Sequence, residues 1–244
     1  MAFAIGYNVS KANELMNEIA KAYDELGIYT EKEWDNVIRV LQKNWVGEDE
    51  QDFEKKLADR ICNLYENASN LAEHCVDTIG GLAQTWYKFQ QTNTLDGGTV
   101  GSGKLNIEVP QIIEKKDVVS VDASRTIADN ADRGLRDASS KTAIQEAVNT
   151  FVSQIKGKTA RLFEKIDTNK AFFGEQSSNI KSYVEKVGSG IAEVTIAVKD
   201  MYQALETLAN SSYTTSSSDI KDQFTQASSN VESSLNDLGN SRWS

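Results

Sequence analysis

The stretch Asn44-Trp45-Val46-Gly47-Glu48 separates two long patterns of helical periodicity. Before it, apolar residues recur three or four positions apart, and after it, from Phe53 to Phe89, the average step is about 3.6 residues, which returns side chains to one face of an α-helix. Gly47 has no Cβ and can adopt the left-handed conformation that ends a helix, while Trp45 is large enough to pack over the turn. These residues predict a helical hairpin with a tight corner.

The order of helix, Trp-x-Gly, and a second amphipathic helix with an aromatic residue six positions after the glycine, here Phe53, resembles the WXG family. This family consists of small helical-hairpin proteins that type VII secretion systems export. The resemblance covers about residues 8 to 93. It implies a partner that is helical or a second copy, recognition by the membrane ATPase of the secretion machine, and secretion without a Sec signal peptide.

The composition favours an all-α fold. The 244 residues include a single proline, as long uninterrupted helices require, because proline removes a backbone donor and clashes with the preceding turn. A net charge of -10 argues against nucleic acid as a partner, since phosphate binding needs a basic face. Cys62 and Cys75 lie thirteen positions apart on one predicted helix, about 20 Å, which is too far for a disulfide.

The first seven residues, Met1 to Tyr7, have neither a basic region nor a sufficient apolar core for a Sec signal peptide. No run of about 18 apolar residues occurs in the sequence, so we expect no stable membrane anchor. The sequence therefore predicts secretion by a route that reads no Sec signal, with a cytoplasmic location as the alternative.

The first arm carries signals for a break. Ser10 is positioned to cap a helix that runs to Gly27, and Thr30 with Glu33 has the spacing of a capping box. We therefore expect two helices, about 10 to 26 and 31 to 43, or one kinked helix. The second arm should run from about 48 to 92, with a bend at Gly80-Gly81.

The composition of the sequence changes at residues 94 to 122, and this stretch marks the boundary between two domains. A Gly-rich stretch, 94 to 103, has the composition of a flexible linker. Leu105 to Val109 then alternates apolar with polar residues, and Val118 to Val121 is mostly β-branched, so each is a candidate for a short strand. We predict a first hairpin at 1-93, a linker with short strands at 94-122, and a second hairpin with an extra C-terminal helix at 123-240.

The second half contains a similar but altered corner. Helical periodicity resumes at Asp122 or Ser124, breaks before Phe172-Phe173-Gly174, and continues to Leu208 with a step of about 3.5 residues, which is a heptad seam. Setting Gly47 against Gly174, an offset of 127, aligns Trp45 with Phe172. We interpret this half as a degenerate second copy of the hairpin. Two hairpins in one chain predict an elongated four-helix bundle.

No catalytic, cofactor-binding or metal-binding constellation is predicted. Gly98 to Lys104 has the spacing of a phosphate-binding loop, but Leu105 occupies the position of the magnesium-binding Ser or Thr, so we interpret it as linker. His74 is the only histidine, which excludes His-based metal clusters. The carboxylates from Glu48 to Asp52 fall in the first turn of a helix, where negative charge stabilises the helix dipole.

The family resemblance also implies an export signal of the form Tyr-x-x-x-Asp/Glu after the corner. Tyr202 and Glu206 match this pattern on the second half of the chain. Tyr29 and Glu33 match it as well, although they precede the first corner. Of the two pairs, we assign the candidate signal to Tyr202 and Glu206.

The sequence thus favours a non-enzymatic helical interaction protein associated with type VII secretion. One alternative is an α-helical membrane-acting toxin, for which the best inserting element is Val187 to Val198. This element is shorter than the roughly 20 residues that span a bilayer as a helix. Another alternative is a structural subunit of a phage or secretion assembly.

Overall fold

A computed structural model of the chain describes residues 7–92, 106–114, 118–121 and 134–210, with side chains at all of these except 90–92. The structure is all-α, as predicted, and its longest helix is about 68 Å long at 1.5 Å per residue. The elements, in chain order, are α1 (Val9–Asn44), β1 (Trp45–Val46), α2 (Glu48–Thr92), β2 (Gly134–Leu135), α3 (Ser140–Thr168), a 3-10 helix (Lys170–Gln176) and α4 (Ser177–Asn210).

The first arm is one continuous helix of 36 residues, so the prediction of two helices is wrong. Asn8, rather than Ser10, caps it, and its side chain accepts a hydrogen bond of 3.0 Å from the Lys11 amide. Thr30 caps nothing, because its hydroxyl donates to the Leu26 carbonyl inside the helix at 2.7 Å. Gly27 is needed for packing and not for a helix end, since a Cβ there would collide with the hydroxyl of Tyr65 on α2.

The second arm, α2, has the predicted bounds and passes through Gly80 and Gly81 without a break. The two glycines have different surroundings. A Cβ on Gly80 would lie 2.5 Å from a methyl group of Val109, whereas a Cβ on Gly81 would meet nothing within 4 Å. Gly80 therefore allows the segment that contains Val109 to approach α2 closely, and it does not bend the helix.

The second hairpin consists of α3, the 3-10 helix and α4. The predicted heptad seam is confirmed, because α4 buries one apolar residue every seven positions. These residues are Ile180, Val187, Val194, Met201 and Leu208. The prediction of helix is wrong for residues 134–139, since α3 begins only at Ser140, where the Asp137 carboxylate accepts from the amides of Ser139 and Ser140 at 2.9 Å each. The predicted last helix, 219 to 239, lies outside the described residues.

The two hairpins pack against each other head to tail. Helix α1 lies against α3, and α2 lies against α4, each pair antiparallel. The corner of one hairpin is therefore at the opposite end of the bundle from the corner of the other. At the contact of α2 with α4 the backbones come close, since a Cβ on Gly190 would lie 3.1 Å from the Cα of Leu64. The result is a four-helix bundle with a long crossover connection.

The described part of the crossover runs along the first hairpin without forming a helix or a strand. We call residues 106–114 and 118–121 the strap. Neither candidate strand forms in it, so the prediction of short strands there is wrong for the described residues. The strap packs on helices α1 and α2 instead, with Val118 and Val119 buried. The strands that do form, β1 and β2, pair antiparallel, with Trp45 opposite Leu135 and Val46 opposite Gly134.

Candidate functional site: the two corners and the seams between the hairpins

The first corner is built around Trp45. Its side chain is 1% exposed and stacks on Phe53, with ring centroids 6.1 Å apart and planes at 23°. The backbone amide of Trp45 donates to the Leu41 carbonyl and closes the last turn of α1. The buried indole nitrogen has no hydrogen-bond partner within the described part of the chain. The side chain of Trp45 therefore packs over the corner through its apolar contact with Phe53.

A strand pair clamps this corner to the start of the second hairpin. Gly47 has φ of 136° and Gly134 has φ of 128°, values that side chains disfavour and glycine tolerates. The Arg136 amide donates to the Asn44 carbonyl at 3.1 Å and extends the clamp by one bond. The sequence revealed the turn at Gly47 but not its partner, because a two-residue strand has no pattern of its own.

The second corner has a different construction. Phe173 is its anchor, at 1% exposure, while Phe172, the residue aligned with Trp45, is only half-buried. Gly174 has φ of 53° and ψ of -132° and introduces a kink within the 3-10 helix, just before α4 begins. The ring of Tyr7 meets Phe172 edge to face at 5.4 Å, and its hydroxyl lies 3.2 Å from the carbonyl oxygens of both Phe172 and Ile79. Burial raises the pKa of Tyr7 to about 12.

Two lines of ion pairs run between the hairpins with opposite arrangements of charge. On the α1–α3 seam the first hairpin supplies the carboxylates, and on the α2–α4 seam it supplies the cations. The ammonium group of Lys158 lowers the pKa of the Glu25 carboxyl by hydrogen bonding and by its charge. The pairs are Glu18 with Lys165 at 3.0 Å, Glu25 with Lys158 at 3.2 Å, Lys56 with Asp200 at 2.6 Å and Arg60 with Glu193 at 2.7 Å.

The candidate export signal lies on the face of α4 that meets α3. Tyr202 is half-buried, and its hydroxyl lies 3.5 Å from the Gln145 carbonyl oxygen. Glu206 is exposed and forms an ion pair with Lys141. Burial raises the pKa of Tyr202. The structure therefore places the two residues side by side, one turn apart, both in contact with the first turns of α3.

The second match to the same pattern lies in a groove between α1 and α3. Tyr29 stacks on Phe151 at 6.2 Å, and burial raises the pKa of its hydroxyl. Glu33 lines the same groove, whose volume is about 570 Å³. Tyr29 is thus half-buried like Tyr202, but it is anchored by ring stacking instead of a polar contact.

The other residues considered for catalysis or metal binding are engaged in packing or in interactions within the fold. His74 packs on the ring of Tyr183 at 4.1 Å. The described residues contain no group of His, Cys, Asp and Glu side chains suited to a metal ion. The first turn of α2 is acidic, as predicted, but Asp49, Glu50 and the following Glu54 are buried and engaged in interactions, which the sequence analysis missed. The stretch Gly98 to Lys104 lies outside the described residues.

The segment Val187 to Val198, considered above for membrane insertion, lies in the middle of α4. Its apolar residues Val187, Val194 and Val198 are buried in the bundle. Within the described ranges, no helix has the length and apolar character needed to cross a membrane.

No protein-family model matches the chain, and no match was found among curated proteins or among solved structures.

Proposed function

We propose that the chain is a non-enzymatic interaction protein of a type VII secretion system, either a substrate or a partner of one. The observation that carries this proposal is the first corner, where Trp45 is buried at a glycine turn between two long antiparallel helices. The order of helix, Trp-x-Gly corner and second helix, with Phe53 six positions after Gly47, is the pattern on which the WXG resemblance rests. The second hairpin supports the proposal further, because it covers the apolar faces of α1 and α2 that a separate helical partner would otherwise cover.

The first experiment tests export. An epitope-tagged full-length chain would be expressed in a bacterium with a functional type VII system and in an isogenic strain that lacks the secretion ATPase. We expect the chain in the culture medium of the first strain alone, with equal amounts inside both. Equal amounts in both media would contradict the proposal. None in either medium would rule out the role of substrate.

The two Tyr-x-x-x-Glu pairs provide a matched control for recognition. Tyr202→Ala with Glu206→Gln should abolish export, whereas Tyr29→Ala with Glu33→Gln should leave it unchanged. Both variants remove a half-buried tyrosine from a contact with α3 and neutralise one carboxylate. Loss of stability should therefore be similar, and circular dichroism melting would verify this. Equal export of the two variants would rule out Tyr202 and Glu206 as the signal.

In this proposal the second hairpin takes the place of a separate helical partner, because it covers the apolar faces of the first. The purified chain should therefore be a monomer. Light scattering after size exclusion is expected to give a mass near 27.0 kDa. X-ray scattering should give an elongated particle about as long as α2, roughly 68 Å. A stable dimer would show that the hairpins seek partners in another chain, and it would contradict this part of the proposal.

A further inference from the structure

The strap follows a defined course along the first hairpin. Asn106 lies at Asn13, near the start of α1, while Ile113 lies at Tyr23 and Ser120 lies at Trp34. The strap therefore runs parallel to α1 for about two thirds of its length. Gly80 on α2 allows Val109 to approach the helix backbone.

The first hairpin holds the strap by its main chain. Three side chains of α1 donate hydrogen bonds to strap carbonyl oxygens, and these contacts do not depend on the identity of the strap residue. Between the strap and the other described residues there is no backbone–backbone hydrogen bond. The bonds are Asn13 Nδ2 to Asn106 at 2.8 Å, Tyr23 Oη to Ile113 at 3.2 Å and Trp34 Nε1 to Ser120 at 2.7 Å.

The inward side chains of the strap share one chemistry. They are β-branched and aliphatic, and they fill the space between α1 and α2. Val118 is 3% exposed and Val119 is 6% exposed. Ile107, Ile112 and Val121 are partly buried against the same core. Outward-facing Ile113, in contrast, is 63% exposed, although its carbonyl is bound by Tyr23.

We propose that this face of the first hairpin is a binding groove for a peptide with β-branched side chains, and that the strap is a resident occupant that such a peptide displaces. The groove has two parts that peptide recognition needs: donors spaced along the main chain of the occupant, and buried sites for its apolar side chains. The strap is displaceable because no backbone ladder ties its described residues to the helices. This inference does not depend on export.

The test is binding of a fluorescent synthetic peptide with the sequence of residues 106 to 121 to the full-length chain, followed by anisotropy. In the wild type the strap competes at an effective concentration on the order of millimolar. Val118→Asp places a charge at a buried strap position and should release the strap. We expect the peptide to bind this variant at least about tenfold more tightly than the wild type, because the competing occupant has left.

Ile113→Asp is the matched control for this variant. It adds the same charge to the strap at an exposed position and keeps the carbonyl that Tyr23 binds. Peptide affinity should therefore equal that of the wild type. If Val118→Asp lost its helical circular dichroism, the milder Val119→Ser would replace it. Equal peptide affinity in the strap variant and the control would overturn the proposal.

The two cysteines provide a second readout that needs no label on the peptide. The thiol of Cys62 lies 3.9 Å from the Val119 carbonyl oxygen under the strap, while Cys75 is 0% exposed in the core. Release of the strap should speed alkylation of Cys62 and leave Cys75 unreactive. Added peptide should restore protection of Cys62. Failure of the peptide to protect Cys62 in Val118→Asp would also overturn the proposal.

Two glycine variants test whether the peptide occupies the groove itself. In the Val118→Asp background, Gly80→Ala should weaken peptide binding, because its Cβ would occupy the space of the valine methyl group. Gly81→Ala adds the same methyl group one position away in open space and should have no effect. Equal affinities of these two variants would place the peptide elsewhere on the protein.

Discussion

The two corners of the bundle reverse the chain between long helices, but they do so with different chemistry. At the first corner a fully buried Trp45 stacks on Phe53, and a strand pair clamps the turn. At the second corner a 3-10 helix leads into Gly174, and the anchor is Phe173. Phe172, which the alignment of the two halves by sequence matches with Trp45, is half-buried against Tyr7. Equal positions in the two halves therefore have unequal roles.

This difference follows from where each corner lies. The first corner meets β2 at the beginning of the second hairpin, so its backbone has a partner for its hydrogen bonds. The second corner meets the N-terminal end of α1, so side-chain contacts from Tyr7 replace a backbone pair. The corners can be distinguished by substitution, and the following expectations are ordered from the largest effect to the smallest.

Trp45→Ala should lower the free energy of unfolding by about 3–5 kcal/mol, the range for removing a buried aromatic side chain. Phe172→Ala should lower it by only about 1 kcal/mol, because the ring is half-buried. Urea unfolding followed by circular dichroism would measure both. Equal losses would show that the second corner depends on Phe172 as the first depends on Trp45.

Two further substitutions refine this comparison. Phe173→Ala should cost about 3–5 kcal/mol like Trp45→Ala, because Phe173 is the buried anchor of its corner. Trp45→Phe should cost less than half as much as Trp45→Ala. Among the described residues the buried indole nitrogen has no hydrogen-bond partner, so its removal relieves an unsatisfied donor while a large ring is kept.

Gly47→Ala and Gly174→Ala should each lower the free energy of unfolding by about 1–3 kcal/mol, because both positions have positive φ. Gly81→Ala is the control, since this glycine lies in a helix with open space around it. It should raise the free energy of unfolding by up to about 1 kcal/mol, the difference in helix propensity. A neutral Gly174→Ala would mean that the second corner relaxes without cost.

Tyr7→Phe tests how much the Tyr7 hydroxyl stabilises the second corner, and how that contribution depends on pH. At pH 7 the variant should lose about 1 kcal/mol with the hydroxyl contacts to Ile79 and Phe172. The folded pKa of about 12 exceeds the ordinary value of about 10, so the unfolded chain releases the proton first. The stability that Tyr7 contributes is therefore complete below pH 10 and is lost as the pH rises toward 12.

The measurement is the difference in free energy of unfolding between wild type and Tyr7→Phe across this pH range. The difference should shrink from pH 10 to pH 12. Other tyrosines with raised pKa, such as Tyr65, titrate in both proteins and cancel. A difference that stays constant would show that the Tyr7 hydroxyl is not buried in solution.

Helical periodicity in the sequence was sufficient to predict four long helices, the two corners and the heptad seam of α4. Local signals misled where packing overrode them. Gly27 and Thr30 have the features of a helix boundary, but the glycine accommodates Tyr65 and the threonine bonds inside the helix. The alternation of apolar and polar residues near Val109 indicated a strand. In the structure it arises because one side chain packs on the helices and the next faces solvent.

The parts of the candidate site that the sequence did not reveal depend on contacts between distant segments. The partner of the first corner, Gly134 with Leu135, has too few residues to form a pattern. The groove of the strap uses Asn13, Tyr23 and Trp34, which are spaced ten and eleven positions apart on α1. These spacings are about three helical turns each, so the three residues lie on one face of α1. Helical periodicity marks that face as packed, but it does not show that a distant segment of the chain covers it.

The order of the hairpins along the chain has a consequence for synthesis. Helices α1 and α2 are complete at Thr92, but their packing partners end only at Asn210. A ribosome that adds about 5–20 residues per second needs on the order of ten seconds to supply them. During this interval the apolar faces of the nascent first hairpin have no second hairpin to cover them. The strap, which is translated before α3, is the first part of the chain that arrives to shield them.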